Sequence, residues 1–350
     1  MFIPKTIYID KNIYKKESWK NKLITILSKY EEASTKEVDS HWNIKEIADL
    51  PYDKWIRSKR EILVLGIKKD CNVTENGRST DFIFPAHANG CLSSCSYCFT
   101  QRRKQGANPL SIFLNTEELI ESVIQHQKKI GPKITPNQTD PNLWTYEIGN
   151  NNDCSLDQEI SGNPLEIIKA ISEKTDNAKT SFATKTVSST WLTYNPKGKS
   201  RIRYSLMPQN ISSIVDIGTS KISERIQSVN NLVENGYEVH FNFSPVIIYE
   251  NYLEYWKQLF EEINDTLNTK SKNQLKCEVI FLTHSEYAHK INLELHPNGE
   301  NYIWKPDIQQ IKFNKPDVIC YRYDIKRKEV DNFTRLIGRQ LPYCQVRYAF

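Results

Sequence analysis

The sequence has no run of eighteen consecutive apolar residues, so no segment reads as a membrane-spanning helix. Its opening, MFIPKTIYIDKN, lacks the long apolar core and the small-residue cleavage pattern of a secretory leader, which sets the expectation of a cytoplasmic protein. Glycine is scarce, 12 in 350 residues, and that scarcity excludes collagen-like and glycine-rich low-complexity chains. A large excess of one charge is also missing. The 47 basic and 42 acidic residues leave a formal +5, which permits an anionic partner without demanding one. With 39% hydrophobic and 11% aromatic residues, the chain can bury a substantial core as one large domain or two smaller ones.

What the sequence does have is cysteine, and in an uneven pattern. Eight cysteines in a reducing compartment do not suggest a disulfide framework, and three of them, Cys91, Cys95 and Cys98, fall within eight residues. In the segment GCLSSCSYCFTQ they are spaced by four and three positions. Three thiolates on one short loop suit three irons of a 4Fe-4S cubane and leave the fourth iron without a protein ligand. S-adenosylmethionine can chelate that iron, and an electron passed into its sulfonium then releases a 5'-deoxyadenosyl radical. Such chemistry needs a low-potential electron donor such as flavodoxin or ferredoxin. The competing reading is structural zinc, because His87, four residues before Cys91, would complete a Cys3His set. A solitary compact triplet with an aromatic residue before its last cysteine fits the cluster better than zinc, which more often takes two separated ligand pairs. The other cysteines, Cys71, Cys154, Cys277, Cys320 and Cys344, are scattered. Three of these lie in apolar, strand-like surroundings and read as small buried hydrophobes. Cys154 differs, following NNND in a loop expected after a core strand.

From residue 82 onward strands alternate with helices: expected strands at Phe82–Phe84, Leu143–Ile148, Ser181–Thr184, Arg201–Leu206, Glu238–Phe243 and Cys277–Leu282, and helices at Thr116–Gln127, Pro164–Ser172, Lys221–Asn235 and Tyr252–Leu267. This α/β pattern implies parallel pairing, in a doubly wound sheet or a full or partial barrel. In either layout the active residues gather at the carboxyl ends of strands. Residues 1–80 carry strand-like pieces at Thr6–Ile9 and Glu61–Ile67 around a helix at Trp19–Lys29. They are expected to be an N-terminal α/β region packed on a main domain of residues 81–350, or else a separate small domain joined by the polar stretch Cys71–Asp81.

The flanks of the triplet carry a narrower likeness. The block FIFPAHANGCLSSCSYCFTQ, followed in order by NPLSIFLNTEELIES, ATKTVS, SRIRYSLMPQ, GTSKISERIQSVNNLVENGYEV and FSPVIIYENYLEYWKQLFEEI, resembles the spore photoproduct lyase family of radical S-adenosylmethionine enzymes, as does the opening FIPKTIYID. That resemblance implies a partial (β/α)6 barrel of the TIM type and an enzyme that splits a thymine dimer of DNA without light. It implies that Tyr97 packs near the adenine of S-adenosylmethionine. It also implies that Asn152, Lys185 and Ser205 stand where the family holds the cofactor's amino-acid and ribose ends. Glu147, at its strand end, is a further candidate to accept a hydrogen bond from the cofactor amine, with a structural ion pair as the alternative. Two positions depart from the family. The cysteine that returns a hydrogen atom to the product radical falls near Asn150 here, and the tyrosine after the last cluster cysteine is Phe99. Cys154, four residues after Asn150, could supply a thiol in its place if the loop turns it inward.

DNA or another nucleic acid is the partner this resemblance implies, and three groups could meet it. These are the run Gln101-Arg102-Arg103-Lys104, the set Lys197, Lys199, Arg201 and Arg203, and the aromatic-basic stretch Tyr302–Tyr323. Each has a plainer reading as a solvated loop or a strand with a basic edge. Outside that family, the open readings are a radical S-adenosylmethionine enzyme on another substrate and a zinc-stabilised nucleic-acid-binding protein.

Overall fold

The computed structural model describes residues 2–102 and 108–350, and the chain divides into two compact units. The first comprises residues 1–92, 99–184 and 188–201; the second comprises 93–98, 185–187 and 202–350. Strands from residues 1–80 share a sheet with later ones.

In the first unit the strands are β1 (Thr6–Asp10), β2 (Ser34–Val38), β3 (Ile62–Gly66), β4 (Thr74–Glu75), β5 (Phe82–Ile83), β6 (Ala88–Asn89), β7 (Leu110–Phe113), β8 (Trp144–Glu147) and β9 (Ala178–Thr184). One sheet runs β2-β1-β3-β7-β6. Its central strands pair in parallel, Ile7 opposite Leu63 and Leu63 opposite Leu110, and their near-continuous apolar runs are buried on both faces, as parallel sheets require. The other strands run β9-β8-β5-β4, with β5, β8 and β9 parallel. Helix Thr116–Ile130 has Glu117 and Glu118 in its first turn and Lys128 and Lys129 in its last, matching its dipole at both ends. Two buried carboxylates each gather several partners here. Asp81 takes Lys133 at 2.9 Å and the Thr145 amide at 2.9 Å, and Asp140 takes Lys179 at 2.8 Å and Arg201 at 3.2 Å.

The second unit holds β10 (Ser200–Leu206) from Ile202 onward, β11 (Glu238–Val246), β12 (Lys276–Phe281), β13 (Thr283–His284), β14 (Gln309–Lys312), β15 (Lys315–Tyr321) and β16 (Gln345–Ala349). Its main strands run β10-β11-β12-β16, and β13-β15-β14 form a small antiparallel sheet. Phe243, Trp256, Phe260 and Phe333 pack edge-to-face or tilted in the core, with centroids 4.8–6.3 Å apart. Glu278 on β12 binds Arg203 at 3.1 Å, Arg347 at 2.7 Å and the Tyr348 hydroxyl at 2.6 Å, all buried or nearly so. The helix expected over Lys221–Asn235 is two helices, Ile222–Gln227 and Val229–Glu234, meeting at Ser228. No helix among the described residues is long and apolar enough to cross a membrane.

Candidate active site

In the second unit the segment Ser93–Cys98 lies along residues 215–218. The Ser94 amide donates to the Ile217 carbonyl at 2.8 Å, the Ser96 amide to the Val215 carbonyl at 2.9 Å, and the Ser93 hydroxyl to the Gly218 carbonyl at 3.0 Å. A turn closed by the Cys98 amide on the Cys95 carbonyl, at 3.1 Å, brings Tyr97 over this segment. There the Tyr97 hydroxyl donates to Asp216 Oδ1, and Lys185 Nζ reaches the same hydroxyl, Asp216 Oδ1 at 2.9 Å, and the face of the Tyr97 ring at 4.3 Å. Arg225, wholly buried, approaches Asp216 Oδ2 at 3.7 Å and donates to the Ser205 carbonyl at 2.6 Å.

Electrostatics fix the protonation of this group. Burial opposes the charge on Asp216, but Lys185 and Arg225 outweigh it and hold the carboxyl below its ordinary range. Burial likewise opposes the Lys185 ammonium, and the charges of Asp216 and Cys95 overcome it, so its pKa rises. Burial, followed by Asp216, pushes the Tyr97 phenol well up, so it stays a hydrogen donor. Lys185 Nζ also lies 3.8 Å from Cys95 Sγ, where a fixed positive charge favours the thiolate form. All eight cysteines are free thiols, and the three in the loop are the soft, anionic donor set that an iron–sulfur cluster takes. The residues present fit that group.

In the first unit the approach to Cys91 depends on Gly90. Its φ of 89° lies in the left-handed region, its amide donates to the Asn151 carbonyl at 3.0 Å, and a Cβ there would stand 2.6 Å from the Pro109 carbonyl oxygen, so no other residue fits. Glu147 ends β8 and is buried. Asn152 donates to Asp157 Oδ2, while Asn150 on the same loop is exposed. Cys154 opens helix Cys154–Ser161, which is capped by Asp153, and its side chain is wholly buried with Sγ 3.7 Å from His87 Nε2. His87 Nδ1 lies 3.4 Å from Asp157 Oδ2. Burial pushes His87 down to about 4 and Asp157 well up, so both are neutral and the contact is not an ion pair. His87, the fourth ligand of the zinc reading, is thus engaged with Cys154 and Asp157.

Of the basic groups, Arg201 and Arg203 are corrected: both are buried in ion pairs with Asp140 and Glu278, where no phosphate can reach them. Lys199 donates to the Ser172 and Thr175 carbonyls at the end of helix Asn163–Lys174, and Lys197 is exposed. The side chains of Gln101-Arg102-Arg103-Lys104 lie outside the described residues. Sequence reasoning missed Asp216 and Arg225. Neither sits in a motif of its own, and only their burial as charged residues singles them out.

An α/β chain with a three-cysteine loop braced by a half-buried lysine and tyrosine has the make-up of a radical S-adenosylmethionine enzyme, of the partial-barrel class. The family model for spore photoproduct lyase matches residues 2–350. The chain belongs to the spore photoproduct lyase family. It is 22% identical over 278 residues to the spore photoproduct lyase of Bacillus subtilis, covering 77% of this chain and 78% of that one. It is 21% identical over 316 residues to that of a Geobacillus species, covering 89% of each. A spore photoproduct lyase double mutant solved with bound AdoMet and dinucleoside spore photoproduct superimposes with a TM-score of 0.86 at 18% identity, over 100% of this chain and 99% of the other. Another, complexed with dinucleoside spore photoproduct, gives the same TM-score, identity and coverage. Family membership sets aside the non-catalytic zinc protein.

Proposed function

We propose that this enzyme acts on a pyrimidine photoproduct of DNA, with a hydrogen-return step that departs from its relatives. The observation that carries the cofactor chemistry is the Tyr97–Lys185–Asp216 group beside Cys95, a hydrogen-bonded and ion-paired support for a cofactor at the loop. Cys91, Cys95 and Cys98 are the proposed iron ligands. Cofactor roles are proposed for Glu147 and Asn152 in the first unit and for Tyr97, Lys185 and Ser205 in the second. When bound, the cluster and S-adenosylmethionine supply a 5'-deoxyadenosyl radical able to abstract hydrogen from carbon. The chain's own residues then bind and orient: Lys185 offers a cation to a carboxylate, and Tyr97 an aromatic face to a base.

Spore photoproduct as substrate is supported by the relatives' names and by the solved complexes. Support within this chain comes from the β14–β15 hairpin, which presents exposed Ile311 and Phe313 next to Lys312 and Lys315. Tyr249, Tyr255 and Tyr302 also line a cleft of about 370 Å³ with Lys305, Glu250 and Asn210, an aromatic and polar lining suited to stacking on bases. The departure rests on Asn150 and Phe99, both exposed and neither able to give up a weakly bound hydrogen atom. Cys154 is the proposed substitute, and since its side chain has no exposed surface, that role requires residues 149–153 to open. A cytoplasmic location and a flavodoxin or ferredoxin as electron donor complete the proposal, a reducing compartment being the one that suits eight free cysteines. Anaerobic reconstitution, followed by assays of S-adenosylmethionine cleavage and of dinucleoside photoproduct consumption, tests it. A protein that cleaves the cofactor but leaves the photoproduct untouched refutes the substrate.

A further inference from the structure

One polar cluster in the second unit plays no part in the chemistry above. His284 on β13, His289 on helix Glu286–Leu295 and Glu300 on helix Pro297–Ile303 each turn one ligand atom to a common point, all within 4.8 Å of one another. His284 Nε2 lies 3.1 Å from Glu300 Oε1, and His289 Nδ1 lies 2.6 Å from Glu300 Oε2. Tetrahedral zinc with bonds of about 2.0–2.1 Å separates its ligand atoms by roughly 3.3 Å, so small side-chain rotations bring this set to coordinating distance. Two imidazoles and one carboxylate are a donor set for a borderline-soft divalent ion, and three protein ligands leave a fourth position for water.

The surroundings hold the three groups in place. Asn292, one turn along from His289, donates to Glu300 Oε1 and fixes the carboxylate. Trp304 stacks on the His289 ring, centroids 4.0 Å apart and planes 10° from parallel, and fixes the imidazole. The side chains of His284 and Glu300 are 1% and 3% exposed, whereas His289 is 20% exposed, giving a dry cradle with one open edge for entry. Asn292 Nδ2 also donates to the Ser96 carbonyl at 2.7 Å, between Cys95 and Tyr97. Gly299 stands so close to this segment that a Cβ would meet Ser96 Oγ at 2.9 Å.

We infer that His284, His289 and Glu300 bind one divalent ion of the zinc type, distinct from the cluster, which pins β13 and the two helices together behind the cysteine loop. The test uses full-length, anaerobically reconstituted holoprotein, whose loop cysteines are occupied by iron. Zinc chloride is added, the protein is desalted, and iron and zinc are counted together, with affinity read by competition against a chromophoric chelator. The expected result is one zinc per chain, with at least tenfold weaker binding in His289→Ala and in Glu300→Gln and unchanged iron in both. His289→Ala is the milder variant, being at the open edge, and circular dichroism verifies that it is folded. Absence of retained zinc in the unmodified holoprotein would leave these residues as a hydrogen-bonded brace and overturn the inference. Zinc held equally by folded His289→Ala would do the same.

Discussion

Lys185 Nζ sits 2.9 Å from Asp216 Oδ1, and the two charges are sealed beside the cluster loop with side-chain exposures of 17% and 1%. Asp216 also faces Arg225 at 3.7 Å, so one carboxylate serves two cations. Removing it is therefore worse than removing either partner. Asp216→Ala is expected to cost about 3–5 kcal/mol of stability, the range for breaking a buried pair from one side, and Lys185→Ala less. Urea unfolding of both variants measures the difference; equal midpoints would show that Arg225 finds another partner.

Lys185→Ala separates the cofactor role from the structural one. It should retain its iron and bind S-adenosylmethionine more weakly, by about 1.5–3 kcal/mol if the ammonium holds the cofactor carboxylate. Equilibrium binding to the reconstituted variant reads this directly. An unchanged affinity would mean that Lys185 serves Tyr97 and Asp216 alone.

Each loop cysteine should be indispensable if, as proposed, each ligates a separate iron. Cys91→Ala, Cys95→Ala and Cys98→Ala should each lose the cluster and all cofactor cleavage, while Ala at Cys71, Cys277, Cys320 or Cys344 should leave iron content unchanged. Iron and sulfide analysis beside the visible spectrum decides. Full iron in any one loop variant would break the ligand assignment.

His87 makes stability depend on pH. Its folded pKa, about 4, lies below the unfolded value near 6.5, so the unfolded chain binds the extra proton between those values. The stability that comes from burying it neutral is complete above pH of about 6.5 and is lost progressively as pH falls toward 4, by roughly 3 kcal/mol. Asp157 and Cys154 face the ring, and Asp157, its own pKa raised by burial, keeps a proton that the unfolded carboxyl has lost, so it contributes a slope of opposite sign above the ordinary carboxylate range and offsets part of that of His87. His87→Gln leaves the Asp157 contribution alone, so its unfolding free energy should fall more steeply with rising pH across this window than that of the parent protein. Parallel pH curves for the two would show that His87 titrates normally.

Much of this was legible in the sequence because its signals are local. The spacing of Cys91, Cys95 and Cys98 needs no fold to be read, and the apolar runs at Thr6–Asp10 and Ile62–Gly66 fall where strands were expected. The helix at Tyr252–Thr266 was equally plain from its periodicity. What stayed hidden depends on distant partners. Arg201 and Arg203 read as basic surface because nothing nearby in sequence announces Asp140 or Glu278. Asp216 was passed over for the same reason, its partners Lys185 and Tyr97 lying 31 and 119 positions away. The short strands β13 and β14 carry too few residues for periodicity to show.

Hydrogen return is the step at which this chain is proposed to part from its relatives, and it supplies the most direct measurement: anaerobic turnover of a dinucleoside spore photoproduct by the unmodified holoprotein, with products counted per enzyme. Asn150 and Phe99 offer neither thiol nor phenol, and the buried Cys154 reaches substrate only when residues 149–153 open, so the account predicts that S-adenosylmethionine is cleaved and photoproduct consumed, with few turnovers to clean thymine, those few lost in Cys154→Ala, and more radical by-products. Asn150→Cys, alone or with Phe99→Tyr, should then raise the clean fraction. Many clean turnovers that vanish in Cys154→Ala would show that the buried thiol reaches the substrate and has taken over the donor role. No consumption of photoproduct, in the unmodified protein or in the restored variant, would contradict the claim that a pyrimidine photoproduct is the substrate.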